Sequence, residues 1–154
     1  MTTGAVARAF ALAVALAGCS VDPVDYSGKT CPCLAGMTCK VGTKECIVYP
    51  GAPDPSLGCA IYSDGKLYCS DTAGSAMRSA PMAAADVVDT LRTSYSWFTC
   101  WGTGELHSGG NTTWYYTQGD DNGHWGWLPG VNVNTPDPFD ADPASFGLAV
   151  CAAP

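Results

Sequence analysis

The stretch Ala76–Val133 carries most of the strand-like sequence in this 154-residue chain. Short aromatic or β-branched runs alternate there with clusters of Gly, Asn, Asp and Pro. Four runs have this character: Val87-Val88-Asp89-Thr90-Leu91, Phe98-Thr99-Cys100-Trp101, Asn111-Thr112-Thr113-Trp114-Tyr115-Tyr116-Thr117 and Trp125-Gly126-Trp127-Leu128-Pro129. This pattern is typical of the strands and turns of a small barrel. It predicts an all-β fold.

The order of these runs resembles the bacterial SH3-like (SH3b) domain over residues of about 74–133. In that family a V-R-S-G/A-P segment leads to V-V-x-x-L, then to a strand, a W-Y strand and a closing G-W-V. The matching segments here are Met77-Arg78-Ser79-Ala80-Pro81, Val87–Leu91, Trp114-Tyr115 and Gly126-Trp127-Leu128. The resemblance implies a small barrel with a groove that can bind the peptide part of peptidoglycan. It also places Trp114 and Trp127 in the core, and Arg78 at a position where a structural role competes with ligand binding.

The amino terminus has the pattern of a signal peptide over residues 1–18. Arg8 precedes an unbroken apolar run, Ala9–Ala17, which is too short to span a bilayer as a helix. The following tetrapeptide, Leu16-Ala17-Gly18-Cys19, resembles a bacterial lipobox and implies a lipid on Cys19. An ordinary secretory signal with an incidental cysteine is the alternative. By the enteric sorting rule, Ser20 favours the outer over the inner membrane of the cell envelope.

Removal of residues 1–18 takes away one cation, which leaves 6 Lys and Arg against 14 Asp and Glu, or 6 − 14 = −8. Such an acidic chain lacks the excess of basic residues that nucleic-acid binding requires, and anionic lipid headgroups would repel it. We therefore expect membrane attachment through the lipid alone. We expect no nucleic-acid partner.

The cysteines and prolines divide the exported chain. Eight cysteines remain besides Cys19, and an even set in an exported protein is typical of disulfides. We predict a tether at 19–30, a Cys-rich module at 31–48 that resembles EGF-like or knotted modules, and a Pro- and Gly-rich linker at 49–58. The SH3-like β domain follows at 59–154.

The segment Cys59–Cys69 predicts a disulfide-closed hairpin. Asp64-Gly65 is a strong turn signal, and a three-residue loop with left-handed Gly65 pairs Tyr62 with Lys66. Ile61 then faces Leu67 and Cys59 faces Cys69, at a spacing that a disulfide can bridge.

The other pairs follow from spacing and elimination. A bond between Cys31 and Cys33 would be strained, which favours Cys31–Cys39 and Cys33–Cys46. Four thiolates could instead bind zinc, an alternative that an oxidising compartment disfavours. Cys100 and Cys151 are left, and a bond between them would attach the carboxyl terminus to the barrel.

Coarse secondary structure completes the prediction. We expect one helical turn near Ala83–Asp86 before a strand at Val87–Leu91, although propensity alone would give a short helix there. We also expect one strand over Tyr95–Trp101. An irregular loop over Asn134–Ser145 and a last strand over Phe146–Val150 would follow.

Catalytic and metal-binding patterns are weak, so we expect no enzyme, no cofactor and no metal site. His107 and His124 fit no ligand motif, and no unpaired cysteine stands beside a base. Two acidic groups, Asp120-Asp121 and Asp137/Asp140/Asp142, could hold calcium, against the alternative of solvated surface acid.

Aromatic residues are the remaining candidates for a binding site. The sheet alternation sends about half of them outward, where rigid rings suit shallow grooves for peptides or sugars. We predict Tyr95, Trp97, Trp101 and Trp125 as ligand-binding residues. The expected function is non-catalytic binding of peptidoglycan, or alternatively docking of another envelope protein. A wall hydrolase is the least supported reading.

Overall fold

The computed structural model describes residue 25 and residues 27–152. The predicted signal peptide 1–18, the predicted lipidation site Cys19, and residues 20–24 and 26 of the predicted tether lie outside the described residues. Within the described part, no helix combines the length and apolar character needed to cross a membrane.

The described chain consists mainly of short strands. Ten strands, one α-helix and three 3-10 turns follow one another. The strands are β1 (Thr38–Lys40), β2 (Glu45–Ile47), β3 (Ala60–Ile61), β4 (Leu67–Ser70), β5 (Ser75–Arg78), β6 (Val87–Leu91), β7 (Tyr95–Phe98), β8 (Cys100–Thr103), β9 (Thr113–Gln118) and β10 (Trp125–Pro129). The helix is α1 (Asp137–Ala141), and the 3-10 turns are Pro55–Leu57, Gly130–Asn132 and Pro143–Phe146.

The strands form two five-stranded antiparallel sheets. The first has the order β2-β1-β3-β4-β7, and the second has the order β6-β5-β10-β9-β8. The predicted all-β fold with disulfides is therefore confirmed. The predicted strand at Val87–Leu91 is β6, and one backbone bond from Ala85 to Met82 forms a turn before it.

The chain passes from the first sheet to the second at Thr99. The single strand predicted over Tyr95–Trp101 is wrong, because β7 pairs with β4 and β8 pairs with β9. Both the amide and the hydroxyl of Thr99 donate to the carbonyl of Tyr116, at 3.0 and 3.2 Å. Strands that change sheets in this way form the corners of packed β structures.

The hydrophobic core lies between the two sheets. Leu67 and Phe98 contribute from the first sheet, and Tyr115 and Leu128 contribute from the second, each with no exposed surface. Phe139 of α1 covers one end of this core and stacks on Tyr115 with ring centroids 6.3 Å apart. Burial of such side chains supplies the main favourable free energy of folding.

Four disulfides link Cys31 with Cys39, Cys33 with Cys46, Cys59 with Cys69, and Cys100 with Cys151. These are the pairs that the spacing predicts. The hairpin also has the predicted register, since Ile61 faces Leu67 and the amide of Tyr62 donates to the carbonyl of Lys66. Gly65 has a φ of 79°, the left-handed conformation that this turn requires.

The Cys-rich segment shares a sheet with the hairpin. Cys39 pairs with Ile61 across β1 and β3, and the amide of Val41 donates to the carbonyl of Cys59. Segment 49–58, predicted as a linker, thus connects β2 with β3, the two strands on either side of β1 in one sheet. Its Asp54 amide donates to the hydroxyl of Tyr62 at 2.8 Å, which fastens the segment to the hairpin.

The carboxyl-terminal segment differs from the prediction. The irregular loop predicted at Asn134–Ser145 contains α1, and the strand predicted at Phe146–Val150 is wrong. Asp142 caps a 3-10 turn that starts at Pro143, and this turn directs Phe146 against Phe139 at 5.0 Å. Only Val150 forms a bridge, a parallel one to Trp101.

Candidate binding face and adjoining cleft

One row of side chains crosses the outer surface of the second sheet. Arg78 of β5 pairs with Trp127 of β10, Trp127 pairs with Tyr116 of β9, and Tyr116 pairs with Cys100 of β8. Directly paired residues point to the same face of a sheet. Because Tyr115, the neighbour of Tyr116, is fully buried, this row faces away from the core.

Four aromatic rings form a continuous cluster on this surface, which we term the aromatic face. It consists of Trp97, Tyr116, Trp125 and Trp127. Trp125 is stacked on Tyr116 at 5.5 Å, Tyr116 contacts Trp127 at 5.0 Å, and Trp97 meets Trp125 edge to face at 5.4 Å. Trp125 is 43% exposed and the other three rings are half-buried. The cluster is therefore rigid and accessible, as an aromatic binding surface must be.

A glycine makes room for the edge of this face. A Cβ at Gly102 would lie 2.9 Å from the indole of Trp127, which is too close for an unshifted side chain. The absence of a side chain on this part of β8 lets Trp127 lie against the backbone.

A cation covers one ring of the aromatic face. The Lys66 ammonium lies 4.3 Å from the centroid of Trp97, within the range of a cation–π contact. Beside it Tyr68 pairs with Trp97 across β4 and β7 and donates its hydroxyl to Asp64 at 2.9 Å. Burial and this carboxylate raise the pKa of Tyr68 to about 12.

The four aromatics predicted as ligand-binding residues separate into different places. Trp97 and Trp125 meet within the aromatic face. Tyr95 lies half-buried on the same side of β7, where burial first and then Tyr62 raise its pKa. Trp101 pairs with Tyr115 and therefore points toward the core, away from the face.

The two tryptophans expected in the core also differ. Trp114 is 2% exposed, as predicted, and donates its indole N–H to the carbonyl of Glu105 at 2.9 Å. Trp127, also predicted in the core, instead belongs to the half-buried aromatic face. Trp127, Tyr116 and Lys66 were not predicted as part of this surface. The pairing register of β9 with β10 was the signal for Trp127 and Tyr116, whereas Lys66 depends on the pairing of β4 with β7.

A cleft of about 380 Å³ adjoins the aromatic face beyond Arg78. Arg78 and Trp114 line it from the sheet, and Leu106 and Val131 line it from the surrounding loops. Leu106 is 67% exposed and Val131 is 42% exposed, so the walls are open to solvent. The cleft combines apolar walls with one cationic side chain.

The rings of both histidines form hydrogen bonds with backbone groups. His107 has one ring nitrogen 3.0 Å from the carbonyl of Thr113, and the other accepts the amide of Gly109. His124 has a ring nitrogen 3.1 Å from the carbonyl of Val88. Each histidine therefore helps to hold a loop in place.

The first acidic group considered for calcium is committed to other contacts. Asp121 forms an ion pair with Arg92 at 2.7 Å. Asp120 accepts the amides of Arg92 and Thr93 at 2.6 and 3.0 Å. These two carboxylates therefore hold the turn after β9 against the loop after β6.

The second acidic group is dispersed. Asp140 is buried and accepts the hydroxyls of Tyr115 and Thr135, whereas Asp142 accepts the amide of Ser145. Asp137 lies exposed in the first turn of α1. In the part of the chain that the structure describes, these three carboxylates do not converge on a common point.

The zinc alternative meets a different obstacle. The sulfurs of Cys31, Cys33 and Cys39 lie within 4.8 Å of one another. Each, however, is bonded to another cysteine, and zinc requires free thiolates.

Comparison with known proteins gives no further guide to function. No protein-family model, no curated protein and no solved structure matches the chain.

Proposed function

We propose that this protein is a lipid-anchored, non-catalytic binding protein of the bacterial cell envelope, with peptidoglycan as its ligand. The anchor would be a lipid on Cys19, placed in the outer membrane, with the tether of residues 19–30 leading to the β structure. The binding surface is the aromatic face, and its domain type is SH3-like.

The observation that carries the proposal is the clustering of Trp97, Tyr116, Trp125 and Trp127 on one accessible surface. Large apolar rings are ordinarily buried, and leaving several together in water loses hydrophobic free energy unless a ligand covers them. Flat rings with a polar surround suit a wall polymer, which presents both sugar rings and short peptides.

The charge of the chain fits a neutral or mixed ligand better than an anionic one. The chain without residues 1–18 carries a formal charge of −8, so a polyanion would be repelled at a distance. Ring stacking does not depend on net charge, and we therefore expect binding to persist at high salt.

Co-sedimentation tests the proposal directly. The full chain, purified in detergent, is incubated with insoluble peptidoglycan, and the pelleted fraction is measured at increasing wall and salt concentrations. Saturable pelleting that persists in 0.5 M salt is expected. Failure of a folded sample to pellet would refute wall binding.

A second candidate is docking of another envelope protein, and the cleft is the observation that favours it. Leu106 and Val131 leave apolar surface exposed beside the aromatic face. Exposed apolar patches of this kind often mark protein interfaces. Cross-linking in intact cells would distinguish this candidate, because it predicts a discrete protein adduct near Val131.

A further inference from the structure

We propose that the cleft beside the aromatic face binds the free carboxylate of a short peptide that ends in a small apolar residue, with Arg78 as the carboxylate-binding side chain. This inference rests on the proposed function, since it names the part of the wall polymer that would enter the cleft.

One hydrogen bond holds the Arg78 guanidinium in place, and several of its N–H donors have no protein partner among the described residues. The Arg78 side chain is half-buried, and one terminal nitrogen donates to the carbonyl of Ala85 at 3.1 Å. This single bond fixes the direction of the guanidinium. A guanidinium has five N–H donors in a planar fork, so donors remain for a ligand.

Among the described residues, no acidic side chain forms an ion pair with Arg78. Across the described residues the one ion pair joins Arg92 to Asp121, so no described carboxylate lies within 4.0 Å of Arg78. This is notable in a chain with 14 acidic and 7 basic residues, where a cation readily finds a carboxylate. A half-buried cation without an anionic partner is complementary in charge to an anionic ligand group.

The acidic side chain of the loop after β8, Glu105, has a partner of its own. Glu105 accepts the amide of Ala83 at 2.6 Å and holds the loop after β5 against the loop after β8. This contact keeps the wall of the cleft in place. Glu105 therefore holds backbone and forms no ion pair with Arg78.

The remaining walls of the cleft are mostly apolar and determine which side chain can lie next to the bound carboxylate. Ala76, Ala83, Leu106 and Val131 present short or medium apolar surfaces around the cavity of about 380 Å³. His107 also lines it, but its ring nitrogens are bonded to Thr113 and Gly109. The site therefore suits a small apolar side chain next to a carboxylate, and Arg binds carboxylates through paired hydrogen bonds.

The cleft and the aromatic face can serve one ligand. Arg78 is the direct cross-strand neighbour of Trp127, so a peptide held by its carboxylate at Arg78 would extend over the rings. The rest of the wall polymer would then contact the aromatic face.

The test uses acetyl-alanyl-alanine, with the terminal residue in either configuration, and the corresponding amides as probes. Full-length protein in detergent, labelled with ¹⁵N, is titrated while the indole resonance of Trp114, which lines the cleft, is followed. At least one of the free acids should shift this resonance saturably. Its amide should bind at least about tenfold more weakly, because a hydrogen bond to a charged group is stronger than one to a neutral group.

Two variants separate this site from a general effect on folding. Arg78→Gln should abolish binding of the acid, whereas Arg92→Gln, which removes an exposed cation elsewhere, should leave it unchanged. Since Arg78→Gln also removes the contact with Ala85, Val131→Glu provides a second route. Its carboxylate at an exposed position would compete for Arg78, and Val131→Gln is the matched neutral control.

The outcomes distinguish this inference from the wall-binding proposal. Acid-selective binding that Arg78→Gln and Val131→Glu abolish supports the inference. Equal binding of acid and amide, or no binding of either acid, overturns it even if the protein still pellets with peptidoglycan. Loss of pelleting with retained acid-selective binding would instead refute only the proposed wall ligand.

Discussion

Trp97 and Trp125 come from different sheets and meet edge to face, with ring centroids 5.4 Å apart and planes at 67°. Trp97 lies on β7 of the first sheet, and Trp125 begins β10 of the second. The contact exists because the chain changes sheets at Thr99 and brings the outer side of β7 beside that of β9 and β10. The aromatic face is thus a product of the corner between the sheets.

Trp125→Ala should weaken wall binding without unfolding the protein. Trp125 is the most exposed member of the face, so its removal leaves little buried cavity while it takes away two ring contacts. We expect about a tenfold increase in the wall concentration needed for half-maximal pelleting, since aromatic contacts contribute roughly 0.5–1.5 kcal/mol each.

Leu34→Ala is the control for this variant. Leu34 is 67% exposed in the Cys-rich segment, away from the aromatic face, and its substitution should not alter pelleting. Equal weakening by both variants would show that binding follows general exposed hydrophobicity rather than the aromatic face.

Asp71 should make the protein less stable as the pH rises toward neutrality. Its carboxyl is 6% exposed and neither oxygen has a hydrogen-bond partner. Burial is the main cause that raises the pKa of Asp71 from 3.8 to about 6, and the charge of Asp120 adds to it. A raised carboxyl pKa favours the protonated folded state, so stability should fall by about 2 kcal/mol between pH 4 and pH 7 through this group.

Asp71→Asn imitates the protonated acid and should remove this part of the pH dependence. Urea unfolding at pH 4.5 and pH 7.5 measures it, and the variant should gain more stability relative to the native chain at pH 7.5 than at pH 4.5. Asp137→Asn at an exposed site is the control. If the free energy of unfolding of Asp71→Asn changes with pH as it does in the native chain, the role of Asp71 is contradicted.

Asp89 should make the protein less stable as the pH falls, the opposite of the effect of Asp71. It is 4% exposed, and its carboxylate accepts four backbone amides, from Thr90, Asp121, Asn122 and His124. Burial opposes its ionisation, but these amides outweigh burial and the pKa lies below the usual value. Ionised Asp89 therefore stabilises the folded protein at neutral pH, and this stabilisation is lost as the pH falls through the lowered folded-state pKa.

Amide hydrogen exchange tests the role of Asp89. Asp89→Ala should accelerate exchange at Asn122 and His124, whose amides lose their acceptor, more than at Leu128 in the middle of β10. Gly119→Ala should have a related effect, because a Cβ there would lie 2.3 Å from the Asp89 carboxyl carbon. Unchanged exchange in both variants would show that the turn does not depend on this carboxylate.

The Cys100–Cys151 disulfide should stabilise the docking of the carboxyl terminus. Its two cysteines are 51 residues apart, and the amide of Cys151 also donates to the carbonyl of Trp101 at 2.8 Å. Replacing both cysteines with serine should lower the free energy of unfolding by about 2–4 kcal/mol. Urea unfolding measures the change, and a loss below about 0.5 kcal/mol would contradict this role.

The hairpin and the disulfides were predictable because they depend on local spacing. Asp64-Gly65 determines the turn, and the turn determines which residues face one another as far as Cys59 and Cys69. With that pair assigned and the short Cys31–Cys33 bond excluded, few alternatives remained.

The sheet change at Thr99 and the end of the chain were not predictable from local pattern. Tyr95–Trp101 alternates like one strand, and only the tertiary contact of Thr99 with Tyr116 divides it. Phe146–Val150 is apolar enough for a strand, but packing of Phe146 on Phe139 and the cap from Asp142 favour a turn. In both places tertiary contacts override local preference.

The binding face was half predictable for the same reason. Alternation correctly places Trp97 and Trp125 on outer surfaces. Alternation does not show which side chains of β9 face outward. Trp114 and Tyr115 lie on opposite faces and are both buried, and of these three neighbours only Tyr116 remains at the surface. The loop with Glu105 covers Trp114, and no local pattern indicates that covering.

The central claim is that the aromatic face binds peptidoglycan, and the five tryptophan indole N–H resonances report on it most directly. Full-length ¹⁵N-labelled protein in detergent is titrated with soluble wall fragments released by enzymatic digestion. The account predicts saturable shifts at Trp97, Trp125 and Trp127, with little change at Trp101 on the inward side of β8. Unchanged resonances at the first three, or a shift confined to Trp101, would contradict it.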